Sequence, residues 1–139
     1  MLIGLHELLT PDLLHALAAM GHGDTIALVD ANYPATSGRR VIPVPGAPVT
    51  KVLEAVLTLL PLDVAVPNPT FVMDAPREYE SVVADINAVL RGHGAKPAKQ
   101  MEHDAFMSVA NAAYAIVLTG ERRFYGNVVL TKGVIPREK

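Results

Sequence analysis

His22 stands between Gly21 and Gly23, is followed by Asp24, and leads straight into the run Thr25-Ile26-Ala27-Leu28-Val29-Asp30. An imidazole has a reference pKa of about 6.5, so it can give or take a proton at cellular pH. The two glycines let the backbone turn sharply where a helix stops, so the ring can project from a tight bend. The apolar, partly β-branched residues that follow read as a buried strand whose carboxyl end delivers Asp30 to a loop, the place where open α/β sheets hold ligands. His22 and Asp30 are therefore expected to converge at one sheet edge as a proton-transfer group and a hydrogen-bonding acid. Each also has a plainer reading. His22 can serve as a helix cap, its protonated ring meeting the negative end of the dipole, and Asp30 can cap the turn after the strand.

Tyr125-Gly126-Asn127 puts a phenol, a backbone open to close approach and an amide into three consecutive residues, a set suited to reading hydroxyl groups. The alternative is an ordinary turn before a strand. His103, in the first turn of a helix, and Tyr33, in a loop, are each open between a site and a solvated or packed side chain. A second Gly-His-Gly, around His93, has no strand directly after it and no nearby acid, and is expected to be solvated. Several chemistries are excluded. The bend at His22 precedes a strand and not a helix, so it is no phosphate-cradling glycine loop, and there is no Gly-x-Ser-x-Gly elbow. The chain has no cysteine, hence no thiol nucleophile, disulfide or thiolate metal site. No two histidines lie three or four apart on one helix, and only His22 with Asp24 or His103 with Asp104 offers even a weak carboxylate–imidazole pair. No metal and no cofactor is expected.

These groups need elements to position them. Thr10-Pro11-Asp12 is a helix start, with a capping hydroxyl, a proline suited to the first position and an acid at the positive end of the dipole. Leu13, Leu14 and Leu17 then form an apolar stripe up to Gly21, and His15 falls off it. Asn32-Tyr33-Pro34-Ala35-Thr36-Ser37-Gly38 is a polar, turn-rich segment that could cover a site. A short strand between Arg40 and Val44 is broken by Pro43. Val49, Val52, Leu53, Val56, Leu57 and Leu60 mark one buried helix face, ended by Pro61. Between Asp63 and Met73 one short strand and a loop are expected, because Pro67-Asn68-Pro69 cannot continue a central ladder. A helix from Arg77 to Leu90 turns Tyr79, Val82, Val83, Ile86, Val89 and Leu90 inward, and Lys96, Pro97 and Lys99 read as an exposed connection. A short helix from His103 to Ala113 and strands at 114–118 and 128–130 complete the pattern. Strands alternating with helices of this length predict an α/β fold: a three-layer sandwich with a mainly parallel central sheet and helices on both faces.

With 139 residues, half of them hydrophobic, the chain can bury a full core as a single domain over 1–139. A formal charge of −2 and no cluster of Lys and Arg among aromatics argue against nucleic acid as a partner. No apolar stretch approaches the roughly 20 residues of a spanning helix, and no basic segment precedes an apolar run at the N-terminus, so membrane and secretion are not expected. The expected location is cytoplasmic. Only 19% of residues are charged, so apolar surface is expected to be buried between copies in a homo-oligomer.

Taken together, Met20-Gly21-His22-Gly23-Asp24, Asp30-Ala31-Asn32-Tyr33-Pro34, Thr119-Gly120-Glu121-Arg122, Tyr125-Gly126-Asn127 and Lys132-Gly133-Val134 resemble the L-fucose mutarotase / D-ribose pyranase family, over nearly the whole chain and in order. The middle, from about Arg39 to Lys99, is only loosely patterned. The resemblance implies cofactor-free interconversion of monosaccharide ring forms: anomers in the mutarotases, pyranose and furanose in the pyranases. A hemiacetal opens when one group protonates the ring oxygen while a base takes the anomeric hydroxyl proton, and closes by the reverse. The resemblance assigns His22 as proton donor, and Asp30, His103, Tyr125, Gly126 and Asn127 as residues that hold the sugar. It also implies a ring-like homo-oligomer, a decamer among bacterial members, with the site near a subunit boundary and the run from Lys132 to Ile135 at an interface. In the family that the chain resembles, fucose-type members carry arginine at the place of His103 and ribose-type members carry histidine there, whereas Tyr125-Gly126-Asn127 and Gly21-His22-Gly23 look fucose-like. More of the chain resembles the fucose branch.

Overall fold

The computed structural model describes residues 1–35 and 40–138. Of the polar segment expected to cover a site, residues 36–38 lie outside the described residues. Helix α1 spans Pro11–Ala19 and starts as its residues dictate: the Thr10 hydroxyl accepts from the Leu13 N–H at 3.3 Å, and Pro11 occupies the first turn. Strand β1 follows at Thr25–Val29, then β2 (Val41–Val44), α2 (Val49–Leu57) and β3 (Thr70–Met73). A 3₁₀ turn at Arg77–Tyr79 leads into α3 (Glu80–Gly92), followed by β4 (Lys99–Met101), α4 (His103–Asn111), β5 (Ala115–Thr119) and β6 (Val128–Thr131).

Among the described residues six strands form one sheet, in the order β2-β5-β1-β6-β3-β4. The pairs β1/β5, β2/β5 and β3/β4 are parallel, while β6 runs antiparallel to both of its neighbours, β1 and β3. Five strands thus share one direction, and the sheet is mainly parallel as its sequence pattern predicts. Alternation along β1 divides its side chains between two cores. Ile26 and Leu28 pack with the apolar stripes of α1, α2 and α3, whereas Ala27 and Val29 pack with Phe106 and Ala110 of α4. Helices cover both faces.

Three local expectations change. Pro43 stays inside a strand, opposite Leu118, because β2 is a sheet edge with β5 as its single strand partner and needs no second ladder from the missing N–H. Lys99 opens the other edge strand and not a connection: an edge strand with Lys99 and Gln100 exposed shows no apolar alternation to read. Tyr79 falls in the 3₁₀ turn ahead of α3, 37% exposed, with its ring against Phe124 and Tyr125 instead of in the helix core.

Candidate active site

Strand direction decides what can meet. The parallel strands β1, β3 and β4 end at one edge of the sheet, where they deliver Asp30, Met73 and, one residue beyond Glu102, His103. Because β6 runs the other way, its entry segment Tyr125-Gly126-Asn127 arrives at that same edge. There a cleft of about 490 Å³ is lined by the polar groups of Asp30, Asn32, Tyr33, His103, Tyr125 and Asn127 and by the apolar side chains of Met73, Tyr79, Met107 and Phe124.

Asp30 and Asn127 hold each other. The Asn127 side-chain oxygen accepts from the Asp30 N–H at 2.7 Å, and its amide also bonds the Asp30 carboxylate. That carboxylate further accepts from the backbone N–H of Asn32 at 2.9 Å, and the Tyr33 N–H donates to the Asp30 carbonyl at 3.2 Å. A carboxylate has about four acceptor sites, which leaves Asp30 capacity for a ligand hydroxyl. Burial pushes the Asp30 carboxyl above its ordinary range and nearby Glu121 adds to this, against the lowering effect of the hydrogen bonds.

Tyr125 has φ +65°, the one positive φ outside glycine among the described residues. A bulky side chain in this region is costly and persists where the surroundings over-determine it. Here the Asn127 N–H closes a turn onto the Tyr125 carbonyl at 2.9 Å, and the Tyr79 ring lies 5.6 Å from the Tyr125 ring. Tyr79 also meets Phe124 edge-on at 5.6 Å. These aromatics and the two methionines make a cluster that suits the apolar face of a small polyol. Sequence patterning missed this cluster, since Tyr79 reads as a core residue of the helix and Phe124 carries no signal of its own. His103 Nδ1 lies 2.9 Å from Asp104 Oδ1, so the weak pair seen in the sequence does form and leaves Nε2 for a ligand.

His22 is not in this cleft. It precedes β1 while Asp30 follows it, and six residue steps at about 3.3 Å from Asp24 to Asp30 separate the two ends by about 20 Å. The expectation that His22 and Asp30 converge at one sheet edge is therefore corrected: within one chain they occupy opposite edges. The reason is that an extended strand connects them. Nor does His22 pair with Asp24, whose carboxylate accepts from the Gly21 N–H at 2.8 Å.

The partner of His22 is Asp63, which sequence reasoning did not single out. Nε2 of His22 lies 3.1 Å from Asp63 Oδ1; the imidazole is 49% exposed and the carboxylate 5%. A carboxylate at Nε2 orients the ring and leaves Nδ1 as the nitrogen without a partner in this pair. The Ala65 N–H, which donates to Asp63 at 3.0 Å, holds this carboxyl below its usual range; burial opposes and His22 adds to the lowering. Lys132 and Gly133 fix both halves of the pair. The Lys132 ammonium donates to the carbonyls of Leu17 and Met20 at the end of α1, at 2.7 and 2.6 Å, and its carbonyl accepts from the Gly23 N–H. Gly133 packs so closely on Leu62 and Asp63 that a Cβ there would lie 2.6 Å from the Leu62 carbonyl oxygen. Gly23, at φ +89°, makes the bend that turns the chain into β1. Among the described residues no group of three or more His, Asp or Glu is arranged to hold a metal.

Residues 3–135 match the RbsD / FucU transport protein family. The chain belongs to this family. Fucose mutarotase of Homo sapiens is 43% identical over 143 residues, covering 95% of this chain and 93% of that protein. The crystal structure of the Streptococcus pneumoniae fucose mutarotase in complex with L-fucose superposes with a TM-score of 0.90 at 34% identity, covering 97% of this chain and all of that one. Bacillus subtilis RbsD complexed with D-ribose shares the fold, with a TM-score of 0.76 at 20% identity, covering 94% of this chain and 98% of that one. In this RbsD / FucU chain, the family blocks quoted from the sequence divide between two structural places: Asp30 and Tyr125-Gly126-Asn127 at the cleft, and His22 and Lys132-Gly133 at the opposite edge.

Proposed function

We propose that this chain is a cofactor-free mutarotase that accelerates exchange between the anomers of L-fucose or a closely similar free aldose. The observation that carries the reading is the cleft itself, which gathers Asp30, His103, Tyr125 and Asn127 from three separated segments beside aromatic and methionine side chains. The polar groups receive hydroxyls and the apolar side chains receive a methyl or ring face. The 43% identical human relative is named for the same reaction.

Proton transfer needs heavy atoms within about 3 Å, so His22 cannot serve its own chain's cleft. It serves that of a neighbouring copy. Asp63 holds the protonated ring at Nε2, and Nδ1 gives its proton to the ring oxygen of the sugar while a water molecule takes the proton of the anomeric hydroxyl; the open aldehyde turns about its C1–C2 bond and recloses on either face by the reverse transfers. Support for assembly comes from the surface of the His22 edge, where Val64 is 94% exposed and Ile135 81%. Gly133, which packs on Asp63, leads directly into Val134 and Ile135, so an interface here would abut the donor. The assembly is a ring-like homo-oligomer, a decamer, acting in the cytoplasm.

Magnetisation-exchange NMR on L-fucose tests the reading. The protein is expected to speed anomer exchange, and His22→Ala to abolish the acceleration while sugar binding survives. Binding without any acceleration by the unaltered protein would identify it as a sugar-binding accessory. His103, a shorter group than arginine, also favours a second reading in which D-ribose exchanges between pyranose and furanose, read in the same experiment.

A further inference from the structure

An ion network anchored on one buried carboxylate lies beside the cleft and takes no part in the proton transfers above. Glu121 is 4% exposed, and its backbone is fastened on both sides. Its N–H donates to the Thr119 hydroxyl, which itself donates to the Val29 carbonyl, and its carbonyl accepts from the Ala31 N–H at 2.8 Å. The Glu121 side chain therefore stands beside the Asp30 turn. From there it runs under Gly126, where a Cβ would fall 2.5 Å from Glu121 Cγ and 3.2 Å from Val82 Cγ2 of α3. The turn that presents Tyr125 and Asn127 is thus gripped between the stem of Glu121 and α3.

Arg123 closes the grip. Its backbone N–H and Nε donate to Glu121 Oε2 at 3.2 and 3.3 Å, its Nη2 donates to Oε1 at 3.0 Å, and its Nη1 reaches Asp85 Oδ2 on α3 at 2.7 Å. A guanidinium is the one side chain that can fork to a carboxylate and still hold a second acid. Burial alone would push the Glu121 carboxyl up, and the hydrogen bonds from Arg123 hold it below its ordinary range, so the buried group remains a charged acceptor.

We propose that Arg123 is a positioning residue of the sugar site: by forking onto Glu121 and tying it to Asp85 of α3, it holds the strained Tyr125 turn in the geometry that receives the sugar. It touches no ligand, since the cleft is lined by the residues that follow it and not by Arg123 itself. The inference rests on the reading of the cleft as the sugar site. It also predicts which kinetic constant moves. His22 sits at the other edge of the sheet, so loosening the turn weakens sugar capture and leaves the proton donor in place.

The test compares L-fucose anomer exchange over a range of sugar concentrations for the unaltered protein, Arg123→Ala, Arg123→Lys and Asp85→Asn, with circular dichroism and oligomer size as controls. Arg123→Ala is expected to raise the half-saturating sugar concentration about tenfold or more, given that displacement of a binding group by about 1 Å can cost 100-fold. Its maximal rate is expected to stay within about threefold, the mark of lost binding and not of lost donor. Arg123→Lys, which keeps the charge but not the fork, is expected to recover part of the affinity, and Asp85→Asn to lose a smaller part. Equal loss of rate and affinity with no rescue by lysine, or no change at all in a protein that does accelerate exchange, overturns this inference alone. No acceleration by the unaltered protein overturns the sugar-site reading and this inference with it. If Arg123→Ala fails to fold, the exposed Asp85 decides: a raised half-saturating concentration in Asp85→Asn supports the positioning role, and an unchanged one overturns it.

Discussion

If His22 acts on the cleft of a neighbouring copy, two inactive variants must rescue one another. Consider His22→Ala, which keeps the cleft and lacks the donor, and Asp30→Asn, which keeps the donor and lacks the charged acceptor in the cleft. Each alone is expected to lose activity, by about 100- to 10,000-fold for the donor. In oligomers assembled from equal amounts of both, a site works when its cleft comes from a His22→Ala chain and its donor from an Asp30→Asn chain. With random assembly in a closed, symmetric ring this occurs at about one quarter of the sites. The geometry leaves no intermediate outcome, because the two edges stand about 20 Å apart along β1 and no side chain spans that gap. The assay is anomer exchange per chain in verified mixed oligomers, prepared by co-expression with two tags. Activity no greater than the sum of the two parents would refute the shared site.

Two further outcomes follow from the same structure. Gly126→Ala would place a methyl 2.5 Å from Glu121 Cγ, where carbon atoms normally rest about 3.5–4 Å apart. Glu121 is pinned by its hydrogen bonds and cannot easily yield, so the variant is expected to lose about 1–3 kcal/mol of stability, seen as a lower melting temperature, together with sugar affinity; wild-type values for both would contradict the packing argument. The acid limb of stability should depend on Glu121. Its carboxyl lies below the ordinary 4.5 in the folded chain, so its contribution is complete above that value and fades as pH falls through the folded value. Urea midpoints measured from pH 7 to pH 3 should thus fall less steeply for Glu121→Gln than for the unaltered chain, and parallel curves would show that the group contributes nothing through its charge.

Much of this molecule is written locally. The capping hydroxyl of Thr10, the stripes on α1 and α2, the apolar strands read at 25–30 and 114–118 and the turn at Tyr125-Gly126-Asn127 each follow from spacing and side-chain type within a dozen residues, and so did the assignment of Asp30 to the carboxyl end of a strand. What escaped were features without a local signal. Asp63 sits in a proline-broken segment, and nothing near it in sequence points to His22, 41 positions earlier, its partner at 3.1 Å. Tyr79 turns toward Phe124 because the helix starts one turn later than its apolar period implies. Lys99 belongs to a strand because β3 offers an open edge, a property of the sheet and not of the residue.

By itself, then, the sequence determined most of the elements, the family and most of the residues worth watching. Only the tertiary structure decided how those residues are grouped. The deciding feature is the direction of β6, the one strand that runs against the others. Its start brings Tyr125-Gly126-Asn127 to Asp30 and its end brings Lys132-Gly133 to His22 and Asp63, so one strand serves both edges of the sheet. Direction is a long-range property, settled by which neighbours a strand pairs with, and no run of residues within β6 specifies it.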